Sequence, residues 1–364
     1  MGLLYGTEEN NMNAIIIENE KNDVVEITSN LIEVIYAIIK GTYLKEKSIK
    51  IDNPTNTDRD YLGAFFTFIL HYPLNIETPK VFVSEQHINN NNNFCNIFQG
   101  RVIICFSGGT DSTAALLKSI ESGEKPVALW TNYGQPYRDV EKKCVERICK
   151  KLRVPLIEAA LDLSDLMAIG GERFGHIFPA RNLLIAAIGL CFLPREIQLA
   201  GLCDELIVPD KSLKMYHDFG KLFGVPLTSP FVDFTKADVL CVWQKKWKNY
   251  LDANETVSCY SNNGNCQNCS SCAKREVAFV ASGYHKEFPE VFRNQSDLIG
   301  NHWFPRIETF HFKRRTDILI ALSYFIEQLH PQLQKRVSFY CSVFKDDIKR
   351  RKKELNEEGG TLNG

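Results

Sequence analysis

The sequence lacks an excess of charge of either sign: 43 lysine and arginine residues stand against 44 aspartate and glutamate residues. It lacks a membrane-length apolar run as well. The richest stretch, 180–193, carries Arg181 and Asn182 and falls short of the ~20 apolar residues a bilayer span needs. At the N-terminus Glu8, Glu9 and a run of asparagine stand where a leader would place basic and then apolar residues. No Walker-type glycine loop ending in Lys and Ser or Thr occurs, and no GxGxxG follows a strand-like segment, which disfavours γ-phosphate transfer and nicotinamide binding. No internal repeat recurs. These absences argue against membrane attachment, secretion and dedicated nucleic-acid binding, and point to a cytoplasmic globular protein.

What is present is a chain of 364 residues, 44% hydrophobic and 24% charged, larger than a usual single domain. Three parts are expected. Residues 1–95 read as an α/β accessory domain, with a strand-like segment at 14–17 and helix-like periodicity at 31–39 and 61–70. The asparagine tract at 89–93 marks the boundary. Residues 96–282 alternate strand and helix: strands at 102–105, 127–131, 156–161 and 197–200, and helices at 112–122, 140–152 and 182–192. That alternation predicts an α/β doubly wound parallel sheet with right-handed crossovers, whose ligands bind at the C-terminal strand ends. Residues 283–364 read as a helical extension with helices at 316–329 and 332–355.

Twelve cysteines are present, and four of them cluster: Cys259, Cys266, Cys269 and Cys272, spaced C-x6-C-x2-C-x2-C in a loop rich in Ser, Asn and Gly. Such clustering favours a metal in a reducing compartment over disulfides. Four thiolates satisfy tetrahedral zinc and leave no position for water, so the role is structural. An iron–sulfur cluster is the competing occupant.

The first core strand runs into Ser107, Gly108, Gly109, Thr110, Asp111, Ser112 and Thr113, after which a helix begins. Two glycines allow a tight turn that brings backbone N–H groups against an anion, the helix start adds unpaired donors, and the hydroxyls add more. A bare glycine pair would be read as an ordinary capped turn; the full SGGTDS string resembles the signature of PP-loop ATP pyrophosphatases. That resemblance implies cleavage of ATP between its α and β phosphates, with Ser107 to Thr113 at the nucleotide and Mg2+ nearby.

Further motifs follow in order: Tyr133-Gly134-Gln135 with Arg138, Phe178-Pro179-Ala180-Arg181-Asn182, Gly201, Thr228 to Phe231 with Lys236-Ala237-Asp238, and Asn254 to Tyr260 ahead of the cysteines. Together they resemble the 7-cyano-7-deazaguanine synthase family of the queuosine pathway over residues 101–282. The resemblance implies a Rossmann-like PP-loop domain that adenylates the carboxylate of 7-carboxy-7-deazaguanine, passes the acyl group to ammonia and dehydrates the amide to a nitrile. It implies ATP, Mg2+ and Zn2+ as cofactors, Asp111, Arg181 and Lys236 as catalytic residues, and Gly201 at the nucleotide. Gln135, Arg138, Asp204, Glu205 and Asp210 are the substrate-side candidates.

After Gly201 the sequence departs from the family's Ser-Gly-Tyr-Pro-Asp-Cys pattern and keeps only Pro209 and Asp210. The added segments on either side also exceed the family's usual length. Homologues extended in this way resemble components of antiphage defence systems, in which a protein amine could replace ammonia as nucleophile. A tRNA-modifying PP-loop enzyme is the further alternative. The expected partners are therefore ATP, a deazaguanine carboxylate and a protein acceptor at the N-terminal segment, with a homodimer as one assembly and neither membrane nor nucleic acid.

Overall fold

A computed structural model describes residues 98–160 apart from 133, 134 and 136, residues 181–203 apart from 191, residues 217, 220 and 221, and residues 224–358 apart from 260, 262 and 263. Before residue 98 it describes only the backbone of four short strands, β1 Ile15–Glu18, β2 Val24–Ile27, β3 Ser48–Ile51 and β4 Lys80–Val83. The first two pair antiparallel and the other two pair parallel. The helices expected at 31–39 and 61–70, the tract at 89–93 and the residues Asp204, Glu205 and Asp210 lie outside the described residues.

Val102–Cys105 forms β5, an apolar run whose first three side chains are fully buried, as a central parallel strand covered on both faces requires. The remaining strands are β6 Val127–Asn132, β7 Leu156–Ala160, β8 Glu196–Gln198 and β9 Leu227–Thr228, and the sheet order β7-β6-β5-β8-β9 is parallel throughout. Helices α1 Thr110–Glu121 and α2 Arg138–Leu152 connect β5 to β6 and β6 to β7. Helix α3 Arg181–Leu190 then precedes a return to the opposite side of β5. The winding direction therefore reverses between β5 and β8, which opens a crevice at the C-terminal ends of those strands. The doubly wound α/β sheet expected from the alternation is the observed one. The additional β9 has two residues, too few for any periodicity to show.

Helix α4, Lys236–Val242, carries a full capping box from Thr235 and Asp238 and continues as a π turn through Trp247. The buried ring of Trp247 meets both Trp243 and Phe231 edge-on there. Helix α5, Ser270–Ala281, follows the cysteine loop, and three longer helices close the chain: α6 Phe312–Tyr324, α7 Pro331–Val343 and α8 Lys345–Glu358. The single helix expected at 332–355 is thus two, broken at Phe344. Its ring stacks on Tyr340 and takes the Arg315 guanidinium over its face, and the break directs Arg351 and Leu355 of α8 into the interior.

These helices share buried clusters with the core. Ile320 and Leu355 pack with the sheet, α1 and α4, whereas Ile318, Leu322, Leu333 and Val337 pack with Cys259, Cys272 and Val277. Among the described residues no helix is long and apolar enough to cross a membrane.

Candidate functional site

The crevice holds a cavity of about 490 Å3. It is lined by Ser107, Gly109, Asp111 and Ser112 of the loop and helix start, by Leu129 to Thr131 of β6 and Leu199 to Gly201 beyond β8, and by Lys236, Ser258, Lys274 and Arg314.

The loop's conformation follows from its glycines. Gly108 has φ +68°, and a Cβ there would stand 3.1 Å from the Cys144 sulfur, so both the backbone and the available space demand glycine. Its carbonyl accepts the Val257 N–H at 3.0 Å, which ties the loop to the segment leading into the cysteines. Gly108→Ala is expected to cost about 1–2 kcal/mol from the left-handed backbone alone, visible as a lower urea midpoint, with nucleotide affinity falling as the loop shifts.

Gly109 is the N-cap of α1 and provides no side-chain acceptor. The first-turn amides that a serine or aspartate cap would engage are left for an anion. The capping boxes at α4 and at the short turn Ala253–Glu255 show the contrast, since both are closed by their own side chains. Thr110 and Thr113 are fully buried. The first shares a hydroxyl contact with Thr256 at 3.1 Å, and the second donates back to the Gly109 carbonyl at 2.7 Å, so both hold the loop's shape and neither lines the cavity.

Ser107 and Ser112 place their hydroxyls 3.4 Å apart at the cavity wall. Asp111 and Lys236 meet there at 2.8 Å, with side chains 14% and 12% exposed. The pair joins residues 125 positions apart and brings α1 and α4 to one point. Helices α1, α3, α5 and α6 all begin at the cavity, as their first-turn residues Asp111, Asn182, Ser271 and Arg314 show. Helix N-termini together with Lys236, Lys274 and Arg314 give the cavity a chemistry suited to an anion.

The other expected residues divide. Gly201 lines the cavity, and a Cβ on it would meet only Ser229 at 3.6 Å, which leaves its open face to a ligand. Arg181 begins α3 in the backbone trace; its side chain is outside the described residues. Gln135 is buried behind the cavity, donating to the Glu141 carboxylate at 2.9 Å and to the Thr131 carbonyl at 3.2 Å. Arg138 is half exposed, pairs with Asp139 at 3.4 Å and is not among the lining residues.

Sequence reasoning missed Glu141, Tyr137 and Thr131, which line the β6 side. Glu141 is held by Gln135 and by the Trp130 indole at 3.2 Å. The Thr131 hydroxyl is buried against this wall with no protein partner. A carboxylate beside an unsatisfied hydroxyl suits the polar edge of a heterocyclic base. The position of Glu141 at the start of α2, six residues after the Tyr-Gly-Gln motif, is the available signal. Cys105 also lines the cavity, but burial pushes its thiol up to about 12, so it is a neutral wall group and not a thiolate nucleophile.

The four clustered cysteines converge, with all sulfurs within 4.8 Å of one another; Cys259 and Cys269 stand 4.0 Å apart, as do Cys266 and Cys272. Tetrahedral zinc with bonds of about 2.3 Å needs sulfurs about 3.8 Å apart, so the set fits that ion. Backbone N–H groups of Ser261, Cys266 and Cys272 donate to these sulfurs at 3.4 Å. Crowding raises the Cys272 thiol, first through its hydrogen bond with Cys269 and then through burial; a bound cation reverses that preference by stabilising the thiolates. Cys259 and Ser258 belong to the cavity wall, so the cysteine cluster shapes the site, and an ion held by all four thiolates would have no position left open to it.

A family model described as queuosine biosynthesis protein QueC matches residues 101–174 and 203–283, a range that contains the glycine loop, Lys236 and all four cysteines. The core is QueC-like. Curated relatives agree: the 7-cyano-7-deazaguanine synthase of Pseudoalteromonas translucida is 28% identical over 209 residues, covering 49% of this chain and 93% of the relative. That of Archaeoglobus fulgidus is 27% identical over 212 residues, covering 50% of this chain and 87% of the relative. The one from Sulfolobus acidocaldarius is 26% identical over 218 residues, which is 50% of this chain and 46% of that protein. The chain's first 100 residues and its last three helices lie outside the QueC match, and so do Arg181 and Gly201.

Proposed function

We propose that the chain is an ATP-dependent carbon–nitrogen ligase that adenylates a 7-deazaguanine carboxylate and transfers the acyl group to ammonia. The observation that carries this reading is the glycine loop without a side-chain cap at the sheet's switch point, with the Asp111–Lys236 pair beside it on the same cavity. The QueC match and the names of the relatives support the deazaguanine substrate.

A carboxylate is a poor electrophile. Its oxygen attacks the α-phosphorus of ATP, the bond to the β-phosphate bridging oxygen breaks, and pyrophosphate leaves. Loop amides, Ser107, Ser112 and Lys236 would stabilise charge developing on the phosphates, and Asp111 would hold the magnesium ion that neutralises the rest. Ammonia then attacks the acyl carbon, AMP departs and an amide forms. A second ATP activates the amide oxygen, whose loss with AMP leaves the nitrile. Glu141 and Thr131 would read the base.

Asp111→Ala and Lys236→Ala are each expected to lower AMP formation by about a hundredfold or more in a chain that still folds, with the thermal midpoint lowered because the partner loses that ion pair in a largely buried setting. Unchanged turnover would remove them from the site. The reaction itself is tested by incubating the protein with ATP, magnesium and 7-carboxy-7-deazaguanine, with and without ammonia, and following AMP and the deazaguanine species by mass spectrometry. Amide or nitrile supports the synthase. AMP without ammonia-dependent product favours a protein amine as acceptor, a second reading motivated by the segments outside the QueC match. Absence of any AMP would discard the proposal.

A further inference from the structure

We propose that the C-terminal segment is part of the nucleotide site, with Arg314 gripping the pyrophosphate portion of the nucleotide bound at the glycine loop. The inference rests on the nucleotide reading of the cavity. Arg314 belongs to a helix outside the QueC match, yet it lines the cavity together with Lys236 and Lys274.

Three consecutive cations open α6, and the structure gives each a different task. Lys313 turns to α4, reaching the Asp238 carboxylate at 3.3 Å and the Asp233 carbonyl at 3.0 Å. Arg315 turns to α8, pairing with Asp347 at 3.1 Å. With its neighbours fixed on either side, the helix has one rotational setting, and it sends Arg314 to the cavity. The Arg314 guanidinium lies over the Phe310 ring, 4.5 Å from its centroid, which restrains the plane of its donor fork.

A second lock holds the same geometry. Arg351 of α8 is fully buried and reaches Asp317 of α6 through two donors at 2.8 and 3.2 Å, Asp238 of α4 at 2.6 Å and the Thr235 hydroxyl at 2.9 Å. Thr235 caps the helix that begins with Lys236. One buried cation thus sets Lys236 and the helix bearing Arg314 in a common frame. An arginine fork suits adjacent phosphate oxygens better than a point charge does, and pre-orientation lowers the ordering cost of binding.

The test uses the full-length, zinc-loaded chain titrated with inorganic pyrophosphate and magnesium by calorimetry, so that no acyl substrate is involved. Arg314→Gln is expected to weaken pyrophosphate binding by about tenfold or more, with a shallower salt dependence and an unshifted thermal midpoint. Arg314→Lys should recover part of the affinity. Arg293→Gln, which removes an exposed arginine paired with Glu290, should leave affinity unchanged. Wild-type affinity in Arg314→Gln would overturn the proposal while leaving the nucleotide reading intact; failure of the wild-type chain to bind pyrophosphate would overturn both. Should Arg314→Gln not fold, arginine-specific labelling of the wild-type chain decides. Pyrophosphate should protect Arg314 in the peptide map, and equal labelling with and without it would refute the assignment.

Discussion

Replacing Arg351 by methionine is expected to destabilise the folded chain by about 3–5 kcal/mol at pH 7–8, the range for removing one partner of a buried ion network. The loss exceeds any attraction assigned to the contacts themselves, because Asp238 and Asp317 stay buried as carboxylates without their shared cation. Burial, the largest influence, pushes Asp317 up to about 6 even with Arg351 beside it. A carboxyl raised in the folded state binds its proton more tightly there than in the unfolded chain. Folding therefore gains stability as pH falls from about 6 towards the unfolded value near 4, and loses it on the way back up. Without Arg351 that carboxyl rises further, so the variant's deficit should be largest above pH 7 and shrink as pH falls through about 6. Paired urea denaturation curves at pH 5.5 and 8 check both magnitude and direction. A deficit that is the same at both values would mean that Asp317 does not titrate against Arg351. Because Thr235 belongs to the same network, the variant should also weaken pyrophosphate binding through Lys236, beyond what its unfolded fraction explains.

The contrast between what the sequence announces and what it hides follows from range. The glycine loop is legible because strand, turn and helix start are contiguous from Val102 to Thr113, and local chemistry dictates them. The cysteine knot is legible for the same reason: its ligands fall within fourteen residues and need only a loop to converge. The doubly wound order could be expected because helix and strand periods alternate over the core. Arg314 and Arg351 were invisible because each sits in a run of basic residues, Lys313 to Arg315 and Lys349 to Lys353, where a solvated face is the ordinary reading. Only the break at Phe344 turns one member of the second run inward. Glu141 was hidden by its helix, whose other carboxylates pair at the surface. Arg138, by contrast, was favoured by motif proximity, and the structure places it away from the cavity on that helix's outer side, because the helix starting there turns successive side chains through 100°.

Removal of the metal is expected to have the other large effect. Structural zinc held by thiolates contributes about 10 kcal/mol or more of binding free energy in small zinc-finger peptides, which is comparable to the whole stability of a domain. Here the knot joins two buried regions: Cys259 and Cys272 belong to the cluster with Phe292, Ile318 and Leu322, while the segment just before it is bonded to the glycine loop through Val257. Chelation should therefore loosen α5 first, because Cys269 is its N-cap and accepts the Cys272 N–H. It should then slacken the C-terminal helices packed on α5. Cys269→Ser, which removes a ligand and weakens the cap together, should lower bound zinc below one per chain and raise amide exchange across residues 257–281. Nucleotide affinity should fall with it, since Ser258, Cys259 and Ser271 are part of the cavity wall. Elemental analysis, exchange mass spectrometry and calorimetric titration with pyrophosphate read the three changes in turn. A purified chain that contains stoichiometric iron and absorbs in the visible range would replace zinc by an iron–sulfur cluster, and a metal-free chain of equal stability would mean that the four thiols hold nothing. If zinc is present and chelation abolishes pyrophosphate binding while the sheet stays protected, the knot's contribution is local. Its role is then to fix the wall against which Lys274 and Arg314 are set.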